Sequence, residues 1–353
     1  MVRCVMSLLA HLMTIAVLCG SCQVFQMHQQ PASQPVLVIN TWPFVNATRA
    51  ACAALSRTGS ALDAVEAGCL QAEADQSLES VSYGHHPDEA GNVTFDAMLM
   101  NGVTMEVGAV AAMPDILEAV SVARAVMERT GHTMLVGDRA ADFAVEMGFK
   151  RRSLNTDRSA ADWRQWRSGN CQPNFRRNVQ PPADHSCGPY RPASSRDSNP
   201  GNRRLGHDTI GMVAMDAGGG LAVGTTTNGA AHRVPGRVGD TAVVGAGGYA
   251  KAGVGAAVGT GDGDILMRYL LAFAAVSEMS LGASPEAACR AALASVRPPP
   301  SGFHGALAAV DADGNVGGAC IGFDSFQISV MRPGMPEPSL LPVPCSPGRP
   351  ARL

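Results

Sequence analysis

The chain is 353 residues long, enough for one large domain or two ordinary ones, so neither metals nor cross-links are needed merely to fold it. Charged residues make up 16% against a usual figure of about 25%, and a net charge of -3 provides no basic field for nucleic acid. Nucleic acid is therefore not an expected partner. At the N-terminus Arg3 precedes an apolar stretch from Val5 to Leu18, broken only by His11 and Thr14, and then the small residues Cys19, Gly20 and Ser21. This is the pattern of a secretory signal peptide over 1–21, shorter than the roughly 20 apolar residues of a membrane span, with cleavage expected near 20–22. A lipoprotein signal ending at Cys22 is the competing reading, although Cys19 stands where leucine is preferred. Once the signal is removed, no membrane association is expected.

Val36 to Asn40 reads as a short buried strand. Small and apolar residues at spacings of three and four then predict a helix over Ala47 to Leu55 and another from the cap candidate Ser60 to Glu73. Turn residues from Tyr83 to Asn92 lead into a strand over Thr94 to Met100. Helical blocks follow at Pro114 to Glu128 and Arg139 to Met147. Between Lys150 and Leu205 the chain turns to Arg, Ser, Asn, Asp and Pro with little periodicity, which reads either as a linker or as a flexible approach to a processing site. Hairpin strands at Thr209 to Met215 and Leu221 to Thr226 are joined by a glycine turn. A glycine-rich passage, an amphipathic segment over Asp264 to Met279, and a helix opened by Ser284-Pro285-Glu286 come next. Strands at Gly305 to Val310, Val316 to Ile321 and Phe326 to Met331 finish the pattern, and Pro333 to Leu353 is a Pro-rich tail. Strands and helices in segregated runs predict a layered α+β sandwich.

Of ten cysteines, Cys4, Cys19 and Cys22 fall in or beside the signal. Cys171 and Cys187 bracket a loop that a disulfide would pin, and Cys320 and Cys345 could tie down the tail. Cys52, Cys69 and Cys289 lie on apolar-periodic segments and read as buried free thiols. There is no C-x-x-C pair and no metal-ligand spacing among the histidines, so neither a metal nor another cofactor is expected. Sequons at Asn46-Ala47-Thr48 and Asn92-Val93-Thr94 fit glycosylation in an oxidising lumen.

The chemistry concentrates after the polar segment. A threonine hydroxyl needs an adjacent base, and cleavage of Asp208-Thr209 would supply one as the threonine's own α-amine. Taken alone, His207-Asp208-Thr209 reads more readily as a polar corner at a strand start than as a cleavage site. Downstream, Thr225-Thr226-Thr227-Asn228-Gly229 supplies hydroxyls beside a turn. Arg237 and Asp240, flanked by glycines, match the α-carboxylate and α-ammonium of an amino acid, although in isolation they read more readily as an exposed ion pair on a loop. Gly259-Thr260-Gly261-Asp262-Gly263-Asp264 offers backbone N–H groups and a hydroxyl before a helix, a place for an oxyanion hole. The Walker spacing and its Lys-Ser/Thr pair are absent, which argues against a nucleotide.

The segments Asn40-Thr41-Trp42-Pro43-Phe44, Pro87-Asp88-Glu89, Asp96-Ala97-Met98, Asn170 to Asn174, Cys187 to Tyr190, Gly206 to Val213, Thr227-Asn228-Gly229, Gly236 to Asp240 and Gly261 to Met267 together resemble the glycosylasparaginase family. The match runs in order from about Val36 to about Phe326. The resemblance implies an N-terminal nucleophile hydrolase with a four-layer αββα sandwich, which splits the bond between the asparagine side-chain amide and N-acetylglucosamine. It implies an α chain over 22–208 and a β chain over 209–353, separated by an N-to-O acyl shift at Asp208-Thr209 with His207 beside it. Thr209 is then the nucleophile and Thr227 its support. Arg237 and Asp240 grip the substrate, Thr260 and Gly261 form the oxyanion hole, and Trp42 lines the pocket. A homodimer of αβ units and a lysosomal location, or a secreted or periplasmic one in bacteria, are further implications.

Two departures stand out. His85-His86 replaces the Gly-Ser that precedes Pro-Asp-Glu in vertebrate members, and part of the family's cysteine set is missing around Cys69 and Cys289. Other readings are a plant-type asparaginase or isoaspartyl peptidase, which needs the same Thr, Arg and Asp, and an unprocessed secreted binding protein. The Trp42 context, the cysteine loop and the signal favour glycosylasparagine as substrate.

Overall fold

The computed structural model describes residues 36–194, 209–300 and 302–348, so the signal-peptide reading, the end of the polar segment, His207 and Asp208 lie outside the described residues. In chain order the elements are β1 (Leu37–Asn40), α1 (Val45–Thr58), α2 (Ala61–Ala74), β2 (Thr94–Asn101), β3 (Val107–Pro114), α3 (Ala119–Arg129), β4 (Met134–Val136), α4 (Gly137–Glu146) and α5 (Asp157–Ser168). They continue with β5 (Val179–Gln180), β6 (Arg191–Pro192), β7 (Ile210–Met215), β8 (Leu221–Thr227), β9 (Gly248–Lys251), β10 (Gly255–Gly261), α6 (Gly263–Tyr269), α7 (Leu271–Ser280) and α8 (Pro285–Ala294). Strands β11 (Gly305–Asp311), β12 (Val316–Ile321), β13 (Gln327–Met331), β14 (Ser339–Pro342) and β15 (Cys345–Ser346) complete the fold.

Eight strands form one sheet in the order β14-β13-β1-β7-β8-β2-β3-β4, and five form another in the order β15-β12-β11-β10-β9. Alternation along each strand sorts side chains into separate cores. In β7, Ile210, Met212 and Ala214 face α1–α4, while Val213 and Met215 face the smaller sheet. In β11, Ala306, Ala308 and Val310 meet the larger sheet, while Leu307 and Ala309 pack on α6–α8. Three cores between four layers give the expected αββα sandwich. The strands after residue 209 interleave with those before it, since β7 pairs with β1 and β8 with β2. A cut between the two parts would leave them bound through one sheet.

Sequence and structure differ in several places, among them the glycine-rich passage, which forms β9 and β10. Residues 107–114 form a strand buried on both faces, so no polar alternation betrays it, and the helix read from Pro114 begins at Ala119. The amphipathic segment after Asp264 is two helices, because Leu270 takes a left-handed conformation at φ +49 and turns the chain between α6 and α7. The polar segment read as structureless contains α5, opened by a capping box in which Thr156 and Ser159 bond each other's backbone nitrogens. Trp163 and Trp166 anchor α5 through Nε1–H bonds to the carbonyls of Glu89 (3.0 Å) and Pro173 (2.8 Å), side-chain contacts that a search for apolar periodicity does not see. The Pro-rich tail supplies β14 and β15 as edge strands. Disulfides join Cys171 to Cys187 and Cys320 to Cys345, whereas Cys52, Cys69 and Cys289 are free and buried.

Candidate active site

Thr209 stands immediately before β7, near the middle of the larger sheet, and is fully buried. The end of β1 clamps it. Thr41 Oγ1 donates to the Thr209 carbonyl at 3.2 Å and accepts from Gly211 N at 3.0 Å, while Thr41 N donates to the Gly211 carbonyl at 3.0 Å. The nitrogen of Thr209 donates to Thr260 Oγ1 at 3.0 Å, and the indole Nε1 of Trp42 donates to the same oxygen at 3.1 Å. A hydroxyl accepts at most two such bonds and keeps one hydrogen to give. With both lone pairs of Thr260 engaged, that hydrogen is available to an acceptor entering the site.

Trp42 is itself held by rings, with Phe326 at 4.7 Å and Phe323 at 5.9 Å between centroids, so its indole direction is set by packing. Gly261, next to Thr260, has φ +124, and a Cβ there would come within 2.5 Å of the His304 carbonyl. Only glycine lets β10 turn toward α6 at this point.

Thr227 lies on β8 one position beyond the Ile210–Thr226 pair, which brings it beside Thr209. Its hydroxyl donates to the Ser80 carbonyl at 3.1 Å and accepts from Gly229 N at 3.1 Å. The residue bonded to the Thr209 hydroxyl is Thr241, Oγ1 to Oγ1 at 3.1 Å. No role is legible in the sequence for Thr241, which adjoins Gly236 to Asp240, or for Thr41, which lies within the segment Asn40 to Phe44.

Of the two charged residues expected to grip an amino acid, Arg237 forms its ion pair with Asp264 rather than with Asp240. Arg237 Nη2 lies 3.3 Å from Asp264 Oδ2, and both face a cavity of about 160 Å³ shared with Phe175, Arg177 and Arg268. Asp240 is buried with one carboxylate oxygen lacking any partner. Burial pushes its pKa up to about 7 against the opposing pull of Arg237. A Cβ on Gly263 would lie 2.4 Å from Asp240 Oδ1, so the carboxylate depends on that glycine for its space.

His85 and His86 line a separate cavity of about 420 Å³ with Glu79, Arg158 and Asp162. Burial pulls the His86 imidazole down to about 4, so it is neutral, with Nδ1 at 3.2 Å from the Gly229 carbonyl. The sequon residues Asn46 and Asn92 are exposed and take no part in the site.

A four-layer αββα sandwich with a threonine heading a central strand defines the fold class of the N-terminal nucleophile hydrolases. Residues 14–332 match the family model described as Asparaginase, and the chain belongs to that family. It is 46% identical over 302 residues to the N(4)-(beta-N-acetylglucosaminyl)-L-asparaginase of Rattus norvegicus, covering 84% of this chain and 87% of that protein. The Mus musculus protein of the same name is 45% identical over 301 residues, with coverage of 84% and 87%. A Drosophila melanogaster protein given that name provisionally is 46% identical over 310 residues, covering 84% of this chain and 79% of its own.

Proposed function

We propose that the chain is cut between Asp208 and Thr209, and that the freed Thr209 hydrolyses the amide joining N-acetylglucosamine to the asparagine side chain. The observation that carries this reading is the placement of Thr260 Oγ1 at 3.0 Å from the nitrogen of Thr209, with its own hydrogen left over. Once free, that nitrogen is an amine and accepts the proton of its own residue's hydroxyl. Oγ1 attacks the amide carbonyl while the Thr260 hydroxyl and the Gly261 N–H stabilise the developing oxyanion. The glycosylamine leaves with a proton returned from the Thr209 ammonium, and water then releases aspartate from the β-aspartyl ester. Arg237 holds the substrate α-carboxylate and Asp240 its α-ammonium, while Thr227 supports the nucleophile. No metal or cofactor enters these steps.

The rat and mouse relatives carry the name of this activity, which supports the same linkage as substrate here. Disulfides and exposed sequon asparagines support passage through the secretory pathway, with the lysosome as destination. None of the described helices is long and apolar enough to cross a membrane. The active form is an αβ unit of residues 22–208 and 209–353, paired as a homodimer.

N-terminal sequencing of the purified protein tests the reading, with a fragment beginning Thr209-Ile210-Gly211 as the expected result. An intact chain with full amidase activity would overturn it. Faster hydrolysis of β-aspartyl dipeptides than of glycosylasparagine would move the substrate to the isoaspartyl peptides.

A further inference from the structure

Thr241 is fully buried, and its hydroxyl lies 3.1 Å from Oγ1 of Thr209. Its position is fixed from behind, since its own carbonyl accepts the Thr225 hydroxyl at 2.7 Å. The nitrogen of Thr209 is taken by Thr260 and its carbonyl by Thr41, so the three polar groups of the nucleophile have three different hydroxyl partners. Thr241 is the partner of the one that reacts.

We infer that Thr241 is a further catalytic residue, whose hydroxyl holds Oγ1 of Thr209 in its attacking orientation both in chain cleavage and in substrate hydrolysis. The inference rests on the proposed role of Thr209. A threonine side chain has three staggered χ1 positions, and only one aims Oγ1 at a given carbonyl. In the uncut chain the Thr209 nitrogen is an amide and cannot take a proton, so orientation from a neighbouring hydroxyl matters most there. As the Thr209 hydroxyl gives up its proton, the Thr241 hydroxyl can rotate to donate to the oxygen that remains. Because Thr241 directly follows Asp240, the segment that recognises the substrate ammonium also carries the hydroxyl that orients the nucleophile.

The test compares Thr241→Val, Thr241→Ala and Thr241→Ser with wild type, measuring the rate of appearance of the Thr209 N-terminus, kcat and KM for glycosylasparagine, and Tm. Valine and alanine should slow both reactions by about 100-fold, the scale set by a misplaced reacting group, with KM held within about twofold. Serine should restore both to within about threefold of wild type, on the same expectation that only orientation has been lost. Alanine only removes atoms, and is the variant to read where valine lowers Tm. Wild-type rates in a folded valine or alanine variant would overturn the inference, as would a raised KM with unchanged kcat. Serine performing no better than alanine would also overturn it. A wild-type chain that is never cut before Thr209 would remove the parent reading, whereas an active wild type beside an equally active Thr241→Val removes this inference alone.

Discussion

The indole of Trp42 donates to the hydroxyl of Thr260 at 3.1 Å, joining residues 218 positions apart in sequence. With Thr209 N, the contact fixes the direction of the Thr260 hydroxyl, so in the proposed mechanism Trp42 acts on the oxyanion hole through Thr260. Thr260→Ala is expected to lower kcat by about 100- to 1000-fold, the usual cost of one oxyanion donor. Trp42→Phe keeps the ring packing and removes the donor, and should cost about tenfold by relaxing an orientation, less than losing the donor itself. In the double variant the Trp42 effect should largely vanish, because its target is gone. Additive losses in kcat across this cycle would show that Trp42 acts independently of Thr260.

Gly263 and Asp240 make a second coupling. A methyl group on Gly263 would sit 2.4 Å from Asp240 Oδ1 and displace it, while the Thr209–Thr260 contact lies on other atoms. Gly263→Ala should therefore raise KM for glycosylasparagine by at least about tenfold, the order expected for losing one charged contact, and change kcat much less. Steady-state kinetics over substrate concentrations from well below to well above KM separates the two parameters. Equal losses in kcat and kcat/KM would place the damage at the nucleophile instead.

Asp240 predicts a pH dependence. Its pKa is raised to about 7, mainly by burial, so below that pH the free enzyme holds a neutral acid there. A substrate ammonium favours the carboxylate, and binding at acid pH therefore releases a proton. The sign follows: kcat/KM should fall as pH drops through about 7, with kcat less affected. Asp240→Asn should abolish this limb of the kcat/KM profile and leave a low, flat rate. A wild-type profile with no inflection between pH 5 and about 8 would contradict the assignment, since the charge change would then lie elsewhere.

The sequence made the fold class legible because its strands and helices come in separate runs, and it marked the site because glycines and hydroxyls gather from Thr225 to Asp264. It missed β3 because a strand buried on both faces has no polar alternation. It missed α5 because that helix is held by a capping box and two indole hydrogen bonds, neither of which produces an apolar stripe. Thr41 and Thr241 were hidden for a different reason. A threonine is an ordinary strand residue until the sheet register sets its hydroxyl against a reacting atom, and register is a property of strand pairs. Thr225 to Thr227 illustrate this, since three identical neighbours bond to Thr241, Glu73 and Ser80 respectively.

Glu73 carries the last prediction. It is fully buried at the end of α2, where Oε1 accepts the Thr226 hydroxyl at 2.8 Å and Val120 N at 2.9 Å, and Oε2 has no partner. Burial outweighs those bonds and raises its pKa to about 8. In the unfolded chain a glutamate titrates near 4.3. Between those values the folded protein holds a proton that the unfolded chain lacks, so stability declines as pH rises from about 4.3 to about 8. Glu73→Gln retains an acceptor for Thr226 and Val120 and removes the titration. Its Tm should exceed that of wild type by at least about 2 °C at pH 8, a shift corresponding to roughly 1 kcal/mol in a chain this large. The gap should close toward pH 5, where the wild-type acid is already neutral. Thermal unfolding followed by circular dichroism across that range reads the difference directly, and a constant Tm offset at every pH would mean that Glu73 does not titrate on unfolding.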